Sequence, residues 1–223
     1  TPVAGMTPNT EQESILEVAS QPNLQVLVVG AGAGTGKTRV LEYRTLELVK
    51  QGVDPTSILL LTFTRRAASE MLARAARHDM RCREVSGGTF HSFALEALKR
   101  YGKVMGINAF TVLDRGDSED IIGKLISDLN LREKKYFPKK GTVTDIISKS
   151  INKGLSIELL LENEYPHLFE WAKALELVAA RFKAYKKERN LLDFDDLLWY
   201  FYVLIKDYEG VRFKVQNRYQ FIM

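Results

Sequence analysis

The residues best suited to carry chemistry form a glycine-rich segment directly after an apolar run. The segment comprises Ala31, Gly32, Ala33, Gly34, Thr35, Gly36, Lys37 and Thr38. Glycines let consecutive backbone N–H groups turn inward around phosphate oxygens, a conformation that residues with a Cβ atom resist. Lys37 would neutralise charge on the β and γ phosphates, and the hydroxyl of Thr38 would coordinate Mg²⁺. The strict pattern has glycine where Ala31 stands, but the segment still predicts a nucleotide-binding site, which leaves kinases, GTPases, transporters and motors open.

The elements around this segment must hold it between a strand and a helix. The apolar run at residues 24–29 predicts a buried strand, and residues 36–51 predict a helix that Gly52 and Pro55 end. Further alternation follows in predicted strands at 58–62 and 84–88 and predicted helices at 65–77 and 89–101. Strands that alternate with helices favour a parallel α/β sheet.

From about residue 106 the pattern becomes helical. No convincing strand pattern occurs between about 114 and 192, so we expect a helical insertion in the α/β domain. Asp193 is then expected to cap a new helix, and residues 219–223 resemble a strand that returns to the sheet. The predicted organisation is the first part of the α/β domain at residues 1–105, the helical insertion at 106–191 and a return to the α/β domain at 192–223.

Composition excludes several other classes of protein. The 223 residues carry 32 Lys and Arg against 28 Asp and Glu, which gives a net charge of +4. The longest apolar run, residues 197–205, is shorter than the roughly 20 residues that span a bilayer. A single cysteine rules out an internal disulfide framework, and the three histidines lack metal-ligand spacing. We therefore expect a cytoplasmic protein without a membrane span.

Four further segments carry a resemblance to a known family. Residues 61–71 and 88–93 resemble the first two DNA-contacting motifs of the UvrD/Rep family, the superfamily 1 helicases. Residues 193–198 resemble a third family signature, and residues 9–12 resemble the Q motif. The resemblance implies a RecA-like P-loop sheet flanked by helices, with an all-helical inserted subdomain. It also implies an ATP-dependent 3′ to 5′ translocase on single-stranded DNA that separates duplexes at single-strand/double-strand junctions.

The resemblance assigns roles to individual residues. Gln12 would bind the adenine edge, and Arg39 would pack against the adenine. Phe63 and Phe194 would stack on DNA bases, a contact that every base can make. The remaining DNA contacts would come from Thr62, Thr64, Arg65, Thr89, His91 and Ser92. Arg65 departs from the family pattern, in which asparagine is usual at this position.

The carboxylates that such an ATPase needs are not found in the sequence at the expected place. In the family, an Asp-Glu pair follows the strand that residues 218–223 resemble, and we therefore expect a fragment of a larger helicase with little ATPase activity of its own. Two alternatives are a P-loop DNA-dependent ATPase that does not unwind DNA and a non-enzymatic single-stranded-DNA-binding fragment. A helicase fused to a nuclease is a third possibility.

Overall fold

The computed structural model describes residues 36–223, and these form two compact units. The first unit contains residues 36–93 and 208–223, and the second contains residues 94–207. The predicted strand at residues 24–29 lies outside the described residues. No helix in the described part of the chain is long and apolar enough to cross a membrane.

The first unit places helices around a short parallel sheet. In chain order it contains α1 (Lys37–Lys50), β1 (Ile58–Thr62), α2 (Arg65–His78), β2 (Ser86–Thr89), the start of α3 (Phe90–Tyr101), α9 (Glu209–Arg218) and β5 (Phe221–Ile222). The three helices α1, α2 and α3 begin and end within one residue of their predicted bounds. The predicted strand at 84–88 begins two residues later than expected, because Met80–Glu84 forms a 3-10 helix.

The sheet has the order β2–β1–β5 and is parallel throughout. All five residues of the central strand β1 are buried, as expected for a strand covered on both faces. Its residue Ile58 belongs to an apolar core with Leu46 and Val49 of α1 and Ala75 of α2. This parallel sheet with helices confirms the predicted α/β class. The returning strand predicted at 219–223 is also confirmed, since β5 pairs with β1 through Ile58 and Leu59.

The second unit is built mainly from helices. It contains the rest of α3, β3 (Thr111–Val112), α4 (Arg115–Asp128), α5 (Lys140–Lys153), α6 (Ile157–Glu164), α7 (Ala172–Glu188), β4 (Leu191–Leu192) and α8 (Phe194–Asp207). Their apolar faces meet in one core, in which Ile122, Ile146, Leu160 and Leu175 are fully buried. Local caps fix the helix starts, among them a reciprocal capping box between Asp114 and Asp117.

The prediction that no strand lies between residues 114 and 192 is wrong at Leu191–Leu192. This two-residue strand pairs in parallel with Thr111–Val112, so the unit is not wholly helical. Two residues are too few to show a periodic pattern, and the pairing joins segments about 80 positions apart. Division into compact units does not decide which residues are inserted, so the boundaries at 105/106 and 191/192 stay predictions.

Candidate nucleotide and DNA-binding site

The start of α1 is the described part of the predicted phosphate-binding segment. Gly36 adopts φ 82°, a left-handed conformation that favours glycine, and its carbonyl accepts hydrogen bonds from the N–H groups of Arg39 and Val40. The side chains of Lys37, Thr38 and Arg39 are all exposed at this helix N-terminus. Backbone N–H groups and the helix dipole favour an anion here. The predicted contacts Gln12 and Ala31–Thr35 lie outside the described residues.

An open pocket adjoins this helix start. Its volume is about 460 Å³, and the described residues that line it are Gly36, Thr38, Arg39, Glu42, Arg74, Arg77 and His78. Glu42 is only 3% exposed and pairs with the guanidinium of Arg74, so the pair joins α1 to α2. Arg39 lines this pocket, and its predicted contact with the adenine stays a prediction.

Phe63 stands almost entirely in solvent at the carboxyl end of β1. Its side chain is 89% exposed. The residues on either side are held by local hydrogen bonds: the Thr62 hydroxyl donates to the Thr64 carbonyl at 2.6 Å, and the Thr64 hydroxyl accepts from the Ala67 N–H at 3.1 Å. Thr62 is buried and Thr64 caps α2, so both support the loop that presents Phe63. Arg65 follows as an exposed side chain.

The end of β2 forms a second tight loop beside the first. Register pairs Thr62 with Thr89, which brings both strand ends to one edge of the sheet. Thr89 and Ser92 hold each other: the Ser92 N–H donates to the Thr89 hydroxyl at 3.1 Å, and the Thr89 N–H donates to the Ser92 hydroxyl at 3.1 Å. Both hydroxyls therefore shape the loop, and His91 between them is partly buried. Their predicted DNA contacts stay predictions.

Phe90 is a site residue that the sequence analysis did not select. Its ring centroid lies 5.7 Å from that of Phe63, with the ring planes at 51°, and the side chain is 41% exposed. The two rings make one apolar surface where parallel strands end, which is the usual position of ligand sites in such sheets. Phe90 directly follows β2, just as Phe63 directly follows β1, and this shared position is the sequence signal that could have selected Phe90.

Phe194 belongs to the second unit and begins α8. It is 43% exposed. The helix start is capped as predicted: the Asp193 carboxylate accepts from the Asp196 N–H at 2.9 Å, and the Asp196 carboxylate accepts from the Asp193 N–H at 3.0 Å. Asp195 accepts a hydrogen bond at 3.0 Å from the side-chain amide of Asn152 in α5.

Lys186 of α7 contacts the carboxylates at this helix start. Rather than facing solvent, its side chain is buried, and its Nζ lies 2.6 Å from carboxylate oxygens of both Asp193 and Asp196. Burial alone would lower the pKa of Lys186, but the two carboxylates outweigh burial and raise it. Burial and the charge of Asp193 raise the pKa of Asp196. No sequence pattern indicated this cluster, because Lys186 reaches the cap from the preceding helix.

The described residues offer neither a metal cluster nor a reactive thiol. No group of three or more His, Cys, Asp or Glu side chains in residues 36–223 could hold a metal ion. Cys82 is buried, and burial together with the nearby charge of Asp79 raises the pKa of its thiol to about 11.

The fold and site define a member of the UvrD/REP helicases. The family model described as the UvrD/REP helicase N-terminal domain matches residues 9–223, so the chain belongs to this family. The match includes the segments that contain Gly36, Phe63, Phe90 and Phe194.

Individual relatives include proteins named as DNA helicases. The chain is 32% identical over 96% of its length to the ATP-dependent DNA helicase PcrA of Leuconostoc citreum. It is 31% identical over the same share to PcrA of Staphylococcus aureus (strain Mu50 / ATCC 700699), and 32% identical over 97% to a probable DNA helicase II homolog of Rickettsia conorii. The chain spans 28% of the two PcrA proteins and 32% of the Rickettsia protein.

Proposed function

We propose that this chain supplies the ATP-binding part of an ATP-dependent DNA helicase. The observation that carries the proposal is the surface of Phe63 and Phe90 at the edge where β1 and β2 end. The rings of Phe63 and Phe90 form one exposed apolar surface where two parallel strands end, and a flat apolar ligand would cover this surface. Unpaired bases are such ligands.

The nucleotide would bind at the start of α1. Gly36 and the exposed Lys37 and Thr38 fit a phosphate group, since they lie at the N-terminus of α1, where the helix dipole favours an anion. Gln12 and the loop from Ala31 to Thr35 would complete the cradle, and Arg39 would pack on the adenine. Mg²⁺ bound by Thr38 would supply charge neutralisation at the phosphates.

The DNA strand would run over the strand ends. Phe63 and Phe194 would stack on bases, Arg65 would contact phosphate, and the Thr62–Thr64 and Thr89–Ser92 loops would keep the rings in place. We propose a RecA-like motor core with an inserted subdomain, which moves 3′ to 5′ on single-stranded DNA and opens single-strand/double-strand junctions. Naming of the relatives as ATP-dependent DNA helicases supports this assignment.

Replacing the phosphate-contacting lysine tests the proposal. In the intact helicase, Lys37→Ala is expected to abolish ATPase and unwinding while single-stranded-DNA affinity stays within about twofold, because the DNA surface is separate from the helix start. Lys50→Ala, an exposed lysine at the other end of α1, is the matched control and should leave both activities unchanged.

Two results would overturn the proposal. Wild-type levels of unwinding by Lys37→Ala would remove the assigned role of the helix start. ATPase activity stimulated by single strands without any strand separation by the wild type would instead identify a DNA-dependent ATPase that does not unwind.

A further inference from the structure

The acidic segment around Phe194 presents an electrostatic problem for a DNA-stacking residue. Phe194 is flanked by Asp193 on one side and by Asp195 and Asp196 on the other. Carboxylates repel the phosphates that accompany any stacked base. A stacking ring at this position requires that the neighbouring charges be compensated.

Lys186 compensates the negative charge of two of these carboxylates, those of Asp193 and Asp196. Its Nζ lies 2.6 Å from Oδ2 of Asp193 and 2.6 Å from Oδ2 of Asp196, and the lysine is only 6% exposed. The ammonium also lies 4.6 Å from the centre of the Phe182 ring, so its stem packs within the core of the second unit. One buried cation thus holds both carboxylates of the α8 capping box.

The same contacts hold the backbone that carries Phe194. Asp193 and Asp196 cap the first turn of α8 by exchanging backbone hydrogen bonds, and Phe194 is the first residue of that turn. Because the caps are themselves tied to Lys186, the backbone that carries the ring is held to α7. A side chain held by supporting contacts loses less entropy when it binds.

We propose that Lys186 is a positioning residue that orders the first turn of α8 and neutralises its acids so that Phe194 can stack on a DNA base. The proposal rests on the proposed function, since it assigns Phe194 to DNA. It adds a residue that touches neither DNA nor nucleotide and acts only through another side chain.

A double-mutant cycle between Lys186 and Phe194 in the intact helicase tests the proposal. Lys186→Met is expected to weaken single-stranded-DNA binding roughly three- to tenfold, and Phe194→Ala by at least as much. In the Phe194→Ala background, Lys186→Met should cost no more than about twofold, because the ring through which it acts is gone. Affinity for a non-hydrolysable ATP analogue should not change in any variant.

Lys187→Met is the matched control for loss of charge. It removes an exposed lysine from the adjacent position of α7 and should alter DNA affinity by no more than about twofold. An equal loss for Lys187→Met and Lys186→Met would show that bulk charge, not positioning, is responsible. An equal loss from Lys186→Met with and without Phe194 would also overturn the proposal.

A second variant separates positioning from charge and covers the case in which Lys186→Met does not fold. Lys186→Met combined with Asp196→Asn removes one charge of each sign, so the net charge of the cluster is unchanged and the remaining carboxylate still caps α8. We expect DNA affinity to fall at least threefold and the loss to vanish in the Phe194→Ala background. Wild-type affinity in this variant contradicts the positioning role. Wild-type protein that binds no single strand would instead refute the proposed function itself.

Discussion

Individual side chains at the ends of β1 and β2 differ in hydrogen bonding and in exposure. The hydroxyls of Thr62, Thr64, Thr89 and Ser92 bond to one another and to the nearby backbone, whereas the Phe63 ring is 89% exposed. Hydroxyls that are already bonded are costly to redirect toward a ligand. We therefore expect the aromatic ring to provide most of the binding energy at this loop.

Phe63→Ala is expected to reduce single-stranded-DNA affinity roughly 5- to 150-fold, the range of one base stack. Since the side chain is almost fully exposed, the free energy of unfolding should stay unchanged. Filter binding and urea unfolding measure the two quantities. Phe213→Ala, which removes another exposed ring of the first unit, is the control, and an equal loss of DNA affinity there would contradict the specific role of Phe63.

Cys82 makes the alkaline stability of the first unit depend on pH. Its thiol pKa is raised from 9.0 to about 11 in the folded chain, so the folded state keeps a proton that the unfolded state loses in this interval. The stabilisation is complete below pH 9 and is lost as the pH rises toward about 11.

Unfolding by urea at about pH 8 and about pH 10.5 measures this loss. Cys82→Ala should show a smaller decrease between the two conditions than the wild type. At about pH 8 the native thiol should react with a disulfide reagent far more slowly than the urea-unfolded thiol. Equal rates would show that the thiol is neither buried nor protonated as described.

At the scale of elements, an ion pair between the buried Glu42 and the half-exposed Arg74 joins α1 to α2. Arg74→Met leaves the Glu42 carboxylate buried without this cation and is expected to lower the free energy of unfolding by about 2–3 kcal/mol. Arg77→Met, one turn further along α2 and exposed, should change it by less than about 0.5 kcal/mol. Urea unfolding compares them, and equal effects would show that the ion pair contributes nothing specific.

The elements that the sequence predicts are those with a repeated pattern of their own. The apolar run of β1 and the helices α1 and α2 begin and end close to the predicted residues, because burial and capping are decided within each segment. β4 was missed because its two residues become a strand only through Thr111–Val112. The ion pairs of Lys186 were not predicted, because its carboxylate partners Asp193 and Asp196 lie beyond the end of its own helix.

In the candidate site, too, the sequence predicted what depends on a local motif and missed the contacts between separate segments. A resemblance in short motifs was sufficient to select Phe63 and Phe194, and both are exposed. It did not show that Phe90 pairs with Phe63, since ring contact depends on the register between β1 and β2. Nor did it show that Thr89 and Ser92 bond to each other.

For the whole molecule, the net charge of +4 is small for a polyanion-binding protein of 223 residues. Affinity for DNA should therefore depend on a few local contacts rather than on overall attraction. Arg65→Ala is expected to reduce the slope of log affinity against log salt by about 0.7, the contribution of one phosphate contact on a single strand. Phe63→Ala should leave that slope unchanged, since stacking releases no counterions. Titrations at several salt concentrations measure both, and a lower slope for Phe63→Ala would argue against stacking.

The tilted contact between Phe63 and Phe90 makes neighbours of two motifs that are separate in the sequence. A base that stacks on one ring must also contact or displace the other ring, so binding at one loop affects the other loop. The loss of DNA-binding free energy in the double variant Phe63→Ala/Phe90→Ala should consequently be smaller than the sum of the losses in the two single variants. The fluorescence of a base analogue bound at this contact should therefore change when either ring is replaced.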